Sequence, residues 1–205
     1  MKHKGMAWIA GGSLAAILVT VISVFAYLAW SRSSGADQLV DAARACDTST
    51  LKSLLDAGVS PDVPAVRWVG LSVGEPYREK NYAMSVAASE GCVEALELLM
   101  AHGASLGAED SEGMTALDLA SREGHPASVE WLLQHDANVG HRDDARRTAL
   151  HWAAGYGDPA SVQLLLSHGA HPGLSDSYRQ TPRGLANKRS DKNGKDIVRI
   201  FSAHP

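Results

Sequence analysis

The sequence predicts an all-α protein in which about five helix-turn-helix units stack into a solenoid, preceded by one transmembrane helix. A repeated pattern predicts the solenoid, because threonine, glycine, alanine and leucine positions recur at one fixed spacing over most of the 205-residue chain. The spacing, about 33 residues, is typical of a repeat architecture. An uncharged, apolar run over residues 5–31 predicts the transmembrane helix, since about 20 such residues span a bilayer.

The apolar run predicts a signal anchor at residues 7–30. Trp8 and Trp30 mark its ends, about 33 Å apart at the rise of an α-helix, which matches the hydrocarbon thickness of a bilayer. Aromatic side chains at both ends suit the two membrane interfaces. A cleaved signal peptide is the alternative, because residues 34–36 have the small-residue pattern of a cleavage site. However, the run is longer than the usual apolar core of a signal peptide.

Charge predicts the orientation of the anchor. Lys2 and Lys4 precede it, so residues 1–6 should stay in the cytoplasm. A linker at 31–38 and the repeats at 39–205 then lie on the other side of the membrane. The chain has 23 acidic against 19 basic residues. This balance argues against nucleic acid as a partner, because binding phosphates requires a basic face.

The same period holds at four independent sets of positions. Each set carries one kind of residue through consecutive units: a helix start, a glycine between helices, an alanine after the second helix, and an apolar triplet within it. The sets are Tyr82, Thr115, Thr148 and Thr181; Gly91, Gly124 and Gly157; Ala104, Ala137 and Ala170; and the triplets 98–100, 131–133 and 164–166.

Each unit is predicted to form two short helices. In the unit that begins at Thr148, the threonine hydroxyl can cap the first helix, and Gly157 ends it. The second helix should begin at Pro159, where a first-turn proline is tolerated, and run to His168. Gly169 should stop it in the left-handed conformation. No unit can bury its own apolar face, so the stack of units forms the core.

The segments TALDLASREGH at 115–125 and TALHWAAGYGD at 148–158, together with the period that relates them, resemble the ankyrin repeat. The resemblance covers about 40–205 and implies β-hairpin fingers between successive helix pairs. It places the units at 39–62, 77–109, 110–142, 143–175 and 176–205. In the last unit Arg183 replaces the usual leucine, which fits a terminal unit with a wet outer face.

An insertion separates the first two units. Leu54, Leu55 and Gly58 align with the second unit only at a step of 45 residues. Residues 63–80 hold the insertion and are typical of an extended hairpin finger, because they alternate in part and contain glycine and proline. Trp68 and Tyr77 on this finger either fold back onto the stack or form a partner-binding tip.

Nine histidines require a metal site to be considered. His102, His135 and His168 recur with the period of the repeat, just before a helix stop. Neighbours in this column should lie about 8–10 Å apart, too far to share one ion. We expect them to stabilise helix C-termini instead. His141, His168 and His171 are a weaker metal alternative. We expect no metal and no cofactor.

His151 occupies the position at which the ankyrin pattern places a histidine. In that family the side chain hydrogen-bonds backbone and threonine groups and holds the finger against the helices. The equivalent residues here are Ser85, Asp118 and Gly184, so no catalytic group repeats. No nucleophile with a base and no nucleotide-binding motif stands out. We therefore predict no catalytic residue and no enzyme activity.

Cys46 and Cys92 are the only cysteines. The 45-residue step aligns Cys46 with Gly91, which places both cysteines in equivalent turns of adjacent units. Outside the cytoplasm such a pair can be oxidised. We predict a disulfide between them, which requires Cα atoms within about 7 Å of each other.

The resemblance implies that partners bind the finger tips and the first helices, the concave face of the stack. Tyrosine and arginine are enriched at interface hot spots, and acidic and basic side chains concentrate toward opposite ends of this chain. Together with the extended finger, the predicted partner-binding residues are Trp68, Tyr77, Arg78, Glu79, Glu90, Glu112, Met114, Arg122, Glu123, Arg142, Asp144, Arg147, Tyr156, Tyr178 and Gln180.

These features predict a monomeric, non-catalytic protein-binding module, tethered to a bacterial inner membrane with its repeats in the periplasm. Secretion into the periplasm after signal cleavage is the alternative. Two roles stay open: an immunity protein that neutralises an exported toxin, or an accessory factor for a periplasmic or membrane enzyme. Ankyrin proteins associated with catalase function are a family precedent for the second role. A small-molecule or metal-binding module is less favoured, because short repeats enclose no pocket.

Overall fold

The computed structural model describes residues 35–69 and 77–203. In these ranges it has ten helices and one hairpin, and none of those helices is long and apolar enough to cross a bilayer. The predicted anchor at 7–30 lies outside the described residues. The elements are α1 Gly35–Arg44, α2 Thr48–Asp56, β1 Ala65–Val69, β2 Tyr77–Asn81, α3 Ala83–Ser89, α4 Val93–Ala101, α5 Ala116–Glu123, α6 Pro126–Gln134, α7 Ala149–Gly155, α8 Pro159–Ser167, α9 Pro182–Lys188 and α10 Lys192–Ala203.

The helices form two layers of five. The first helices of the units (α1, α3, α5, α7 and α9) pack in sequence, and so do the second helices (α2, α4, α6, α8 and α10). Small side chains let the first helices approach closely, while leucines fill the space between the second helices. The fully buried residues recur with the predicted period, as Ala87, Ala120, Ala153 and Ala186 and as Leu99, Leu132 and Leu165. The predicted helical solenoid is therefore confirmed.

Local sequence sets the ends of the helices. Asp158 caps α8 by accepting hydrogen bonds from the backbone N–H of Ala160 at 2.8 Å and of Ser161 at 3.1 Å. Pro159 fills the first turn of α8, where no N–H is needed. After the same helix Gly169 has a φ of 86°, the left-handed conformation predicted for it.

The three histidines at helix C-termini bind carbonyl groups in the last turns of their helices, as their spacing predicts. Nδ1 of His102, His135 and His168 lies 2.9, 2.7 and 2.9 Å from the carbonyl oxygen four residues earlier. In His102 this hydrogen bond to Leu98 is the main cause that raises the pKa of the imidazole. A partly protonated ring is favourable at the negative end of a helix.

The first unit and the extended finger differ from a regular repeat. Helix α1 begins at Gly35, inside the segment predicted as the linker 31–38, because Ala36 and Leu39 are already buried against the stack. Strands β1 and β2 pair antiparallel from Ala65 opposite Asn81 to Val69 opposite Tyr77. Lys80 N–H donates to Ser111 Oγ at 2.6 Å, which ties this hairpin to the next finger.

Cys46 and Cys92 form a disulfide, with Cα atoms 5.7 Å apart. The two cysteines lie in the turns between α1 and α2 and between α3 and α4, so the bond joins the first unit to the second. Cys46 has a φ of 51°, close to the 78° of Gly91, which is the residue aligned with it in the second unit. The disulfide therefore connects structurally equivalent turns.

Candidate protein interface

A small apolar cluster lies on the concave face, the side formed by the first helices and the fingers. Met114, Leu119 and Trp152 form it, apart from the main core, and all three are buried. Arg122 and Arg147 lie over the Trp152 ring, with guanidinium carbons 5.7 and 3.9 Å from its centroid. The indole is therefore covered by two cations, an arrangement in which each cation is attracted to the ring face.

Asp143 holds Trp152 and Arg147 in place. Its Oδ2 accepts hydrogen bonds from Trp152 Nε1 at 3.2 Å and from Arg147 Nε at 3.1 Å. Its Oδ1 accepts the backbone N–H of Arg147 at 2.7 Å. Because Asp143 is only 4% exposed, these charge-assisted hydrogen bonds are largely shielded from water. They therefore fix the side chains of both Trp152 and Arg147.

A cleft of about 230 Å³ lies beside this cluster, between the fourth and fifth units. Tyr156 and Tyr178 are its most exposed walls, with 65% and 69% of their surface open to solvent. The Tyr156 ring is also next to Trp152, with centroids 5.7 Å apart. The residues that line the cleft are Arg147, His151, Trp152, Tyr156, Asp176, Tyr178, Gln180 and Leu185.

Each of the last three fingers contains an aspartate at the same position. Asp110, Asp143 and Asp176 keep the period of the repeat, and each donates its backbone N–H to the carbonyl oxygen four residues later, at 3.0, 2.9 and 2.9 Å. Asp176 Oδ1 accepts the N–H groups of Tyr178 and Gln180, both at 2.8 Å. The column therefore closes the turns of the three fingers.

His151 has the structural role that the resemblance implies. Its Nδ1 accepts the backbone N–H of Thr148 at 3.1 Å, and its Nε2 lies 3.3 Å from the carbonyl oxygen of Gln180 in the next finger. Complete burial lowers the pKa of the imidazole, so the ring is neutral with its proton on Nε2. His151 holds one unit to the next and leaves no free nitrogen for catalysis.

His141 is also engaged between units. Its Nδ1 lies 3.1 Å from Asp118 Oδ2 and its Nε2 lies 3.1 Å from Glu109 Oε1. Both ring nitrogens are therefore occupied, which removes His141 from the metal alternative with His168 and His171. No group of three histidine, cysteine or acidic side chains is placed to hold a metal ion in the described ranges.

Several predicted partner-binding residues come together at the cleft and the covered indole: Arg122, Arg147, Tyr156, Tyr178 and Gln180. Others lie elsewhere on the exposed surface. Glu90 is an exposed residue at the end of α3, and Glu112 and Asp144 meet through their backbones in adjacent fingers, with Asp144 N–H donating to Glu112 O at 3.1 Å. Glu123 pairs with Arg122 at 2.8 Å.

One of the predicted contacts needs correction, one also has a structural role, and four have side chains outside the described part. Met114 is 2% exposed, so it supports the Arg122 side chain from below instead of touching a partner. Arg142 donates to the carbonyl oxygens of Arg146 and Ser175 at 3.0 and 2.6 Å, and so braces two fingers against each other. The side chains that lie outside the described part are Trp68, Tyr77, Arg78 and Glu79.

Sequence reasoning missed four residues of this interface, namely Asp143, Trp152, Asp176 and Leu185. A signal for Asp176 was present, because the aspartate column keeps the same period as the threonines and glycines. Trp152 stands where the neighbouring units have Leu119 and Leu185, and an aromatic residue that departs from its column is a candidate for a specific role. Its pairing with Arg147 could not be seen from the pattern.

The stacked helix pairs, the fingers between them and a polar, aromatic face on one side define a helical-repeat solenoid. Residues 39–143 match a family profile described as ankyrin repeats (3 copies), and residues 132–186 match one described as ankyrin repeats (many copies). The chain belongs to the ankyrin-repeat family, whose members generally bind other proteins and are generally not catalytic. No curated protein matches the chain.

Proposed function

We propose that this chain is a non-catalytic module that binds another protein through an arginine–aromatic patch, defined as Arg122, Arg147, Trp152, Tyr156 and Tyr178. The observation that carries the proposal is the pair of exposed tyrosines, 65% and 69% open to solvent, beside an indole covered by two guanidinium groups. Exposed aromatic side chains that lie together mark candidate contact sites, and Trp, Tyr and Arg are enriched at interface hot spots.

The patch is also well ordered for binding. Arg147 is fixed by its ion pair with Asp143 at 3.1 Å and by stacking on Trp152 at 3.9 Å. Side chains that are held in one rotamer before binding lose less conformational entropy when the partner arrives. This order favours a specific protein partner over a loosely solvated surface.

Site-specific photo-crosslinking tests the proposal. A photoreactive phenylalanine analogue placed at Tyr156 or Tyr178 in the full chain should yield a crosslinked protein adduct in cells. Gln163, an exposed residue of α8 in the layer of second helices, is the matched control position and should yield no adduct of that size. Adducts that form equally at Gln163 contradict the assignment of the patch.

A charge and shape variant gives a second, independent measurement. Arg147→Glu combined with Tyr156→Ala removes the cation and the exposed ring and leaves the buried alanine and leucine columns unchanged. Recovery of the partner in a pull-down from envelope extract should fall strongly. Equal recovery by the wild type and the double variant contradicts binding through this patch.

We further propose that the repeats are displayed in the periplasm of a bacterium, tethered by the anchor at 7–30. Two features support this: the uncharged run with two preceding lysines, and a disulfide, since disulfides persist in oxidising compartments. Protease added to spheroplasts should degrade the repeats of the membrane-bound chain, and carbonate should not extract the chain. Protection from protease until the membrane is broken contradicts this orientation.

The role proposed for the complex is immunity, in which the chain neutralises an exported toxic enzyme. The proposed binding face and the proposed periplasmic location support this role, and they are equally compatible with an accessory role, which the test below distinguishes. The test is the activity of the crosslinked partner after purification, which should fall in proportion to added chain. Stimulation of that activity instead identifies the chain as an accessory factor for an envelope enzyme.

A further inference from the structure

The finger aspartates of the fourth and fifth units have the same geometry but different surroundings. Asp143 and Asp176 are 4% and 7% exposed, and the Oδ1 atom of each accepts a backbone N–H four residues later. Their Oδ2 atoms differ. Asp143 Oδ2 accepts two side-chain hydrogen bonds, and Asp176 Oδ2 accepts none from the described residues.

The fourth unit shows which groups such a carboxylate binds. Asp143 Oδ2 is bonded to the guanidinium of Arg147 at 3.1 Å and to the indole N–H of Trp152 at 3.2 Å. Arg147 also stacks on that indole, 3.9 Å from its centroid. The carboxylate, the cation and the aromatic ring therefore form a compact set, with the guanidinium in contact with both of the others.

The fifth unit lacks both donors. The residues equivalent to Arg147 and Trp152 are Gln180 and Leu185. Gln180 accepts a hydrogen bond from the ammonium of Lys188 through Oε1 at 2.6 Å, and leucine has no polar hydrogen. Gln180 and Leu185, the shorter residues at these two positions, line the cleft of about 230 Å³ together with Asp176.

The charges around this cleft favour a cation. Arg147 is neutralised by Asp143, and burial lowers the pKa of His151, which leaves that ring neutral. Asp176 is then the one buried charge on the cleft wall that has no opposite charge bonded to it among the described residues. The nearby cations are bonded elsewhere: Lys188 donates to Gln180 Oε1 at 2.6 Å, and Arg142 donates to the carbonyl oxygen of Ser175 at 2.6 Å. Tyr156 and Tyr178 add aromatic faces, on which a planar guanidinium stacks better than a compact ammonium.

We propose that the cleft between the fourth and fifth units receives an arginine side chain of the partner protein. The guanidinium binds Asp176 Oδ2 and lies against Tyr156 and Tyr178, and so supplies the group that Arg147 supplies to Asp143 one unit earlier. This inference rests on the proposed function, since it names the anchor residue of the protein that the arginine–aromatic patch binds.

The direct test uses N-acetyl-arginine amide as the probe and backbone amide NMR shifts of the full chain in detergent micelles as the readout. The shifts should cluster at Tyr178, Gln180 and Leu185. N-acetyl-citrulline amide, which has a similar shape without the charge, should bind about tenfold more weakly, because its neutral urea cannot form an ion pair with the carboxylate. Equal affinities for the two probes, or shifts spread over unrelated acidic residues, overturn the inference.

Two variants of the chain sharpen this result. Asp176→Asn keeps Oδ1 as the acceptor for the finger amides and replaces only Oδ2, so the turn is retained while affinity for the probe falls about tenfold. Gln180→Arg with Leu185→Trp copies the fourth unit into the fifth and should abolish probe binding by filling the site internally. Unchanged probe affinity in either variant overturns the inference.

Crosslinking separates this inference from the proposed function. In one outcome, the analogue at Tyr156 captures the partner with the same efficiency after Asp176 is replaced by asparagine. The inference of a bound partner arginine is then wrong, while binding through the arginine–aromatic patch is retained. If no partner is captured at Tyr156 or Tyr178 in the wild type, the proposed function itself fails, whatever the probe does.

Discussion

Asp118 Oδ2 lies 3.1 Å from His141 Nδ1, near the C-terminal end of the same third unit, 110–142. Asp118 is 1% exposed and occupies the position that His151 has in the next unit. Its Oδ2 accepts the N–H and hydroxyl of Thr115 at 2.9 and 2.7 Å, just as His151 binds Thr148. The third unit therefore uses an aspartate and a histidine where the fourth uses a single histidine.

The first prediction concerns His141→Leu, which removes the imidazole and introduces the residue found one unit later, Leu174. We expect the free energy of unfolding to fall by about 1–3 kcal/mol near pH 6, because Asp118 stays buried without its charged donor. The double variant with Asp118→His copies the fourth unit and should recover most of the loss. Urea unfolding of the wild type and both variants measures this.

The pH dependence gives that prediction a second readout. The hydrogen bond to Asp118, and with it the one to Glu109, raises the pKa of His141 to about 9 from an ordinary value of 6.5. The stabilisation is therefore complete below pH 6.5 and is lost as the pH rises through about 9. The difference between wild type and His141→Leu should shrink over that interval, and a difference that is constant from pH 6 to 10 contradicts the ion pair.

The second prediction concerns His151, whose contribution to stability changes with pH in the opposite direction. Burial lowers the pKa of this imidazole below 6.5, so its contribution is complete above pH 6.5 and is lost as the pH falls below that value. His151→Gln should reduce the free energy of unfolding at pH 7 by about 1–3 kcal/mol, through weaker bonds to Thr148 and Gln180. It should also lose less stability than the wild type between pH 6.5 and 5, measured by thermal melting across that range.

The third prediction concerns the disulfide between the first two units. Replacing Cys46 and Cys92 by serine should lower the free energy of unfolding by roughly 2–4 kcal/mol. The reason is that the bond closes a loop between two cysteines that are 46 residues apart in the sequence. Units in a repeat stack contact only their neighbours. Amide hydrogen exchange should therefore accelerate in α1 and α2 and change little in α7 and α8, which serve as the internal control.

Alkylation of the native protein checks the same bond in a different way. Without reductant, iodoacetamide should modify neither cysteine, and with reductant it should modify both. Two reactive thiols in the unreduced native chain contradict the disulfide and remove one of the two supports for a periplasmic location.

The fourth prediction concerns the glycine between α7 and α8. A Cβ added to Gly157 would collide with the carbonyl oxygen of Ser121 in the previous unit and come within 2.9 Å of Ala153 Cα. These are backbone atoms that cannot turn away, so Gly157→Ala should lower the free energy of unfolding by about 1–3 kcal/mol. Gly173→Ala is the matched control, since nothing lies within 4 Å of its added Cβ. A similar loss in both variants contradicts this steric explanation.

Much of the fold could be predicted because each unit repeats the same residues at its helix ends and in its core. Thr148, Pro159 and Gly169 each act on a helix end within a few residues, and the unit that contains them folds as its sequence predicts. The start of the first unit was less predictable. Gly35 and Ala36 look like a linker in isolation, and helix α1 begins there because the neighbouring unit buries its apolar face.

The candidate interface was only partly predictable, since a family pattern identifies positions and not the contacts between them. It singled out Tyr156 and Tyr178, which are exposed beside one cleft. It also singled out Met114, which is buried, because the Arg122 side chain folds over it with Nη1 3.8 Å from Sδ. Whether a long side chain covers its neighbour or extends into solvent depends on the packing around both.

The sequence alone determined the period of the helix pairs, the burial of their alanines and leucines, and the alignment of the two cysteines. These follow from a period that successive copies share. Only the tertiary structure decided which donors meet the polar positions: Asp118 Oδ2 is bonded to His141, Asp143 Oδ2 to Arg147 and Trp152, and Asp176 Oδ2 to none of the described side chains. The reason is physical, because these donors are brought to the carboxylates only when the chain folds, and what meets each carboxylate there depends on side-chain length and direction.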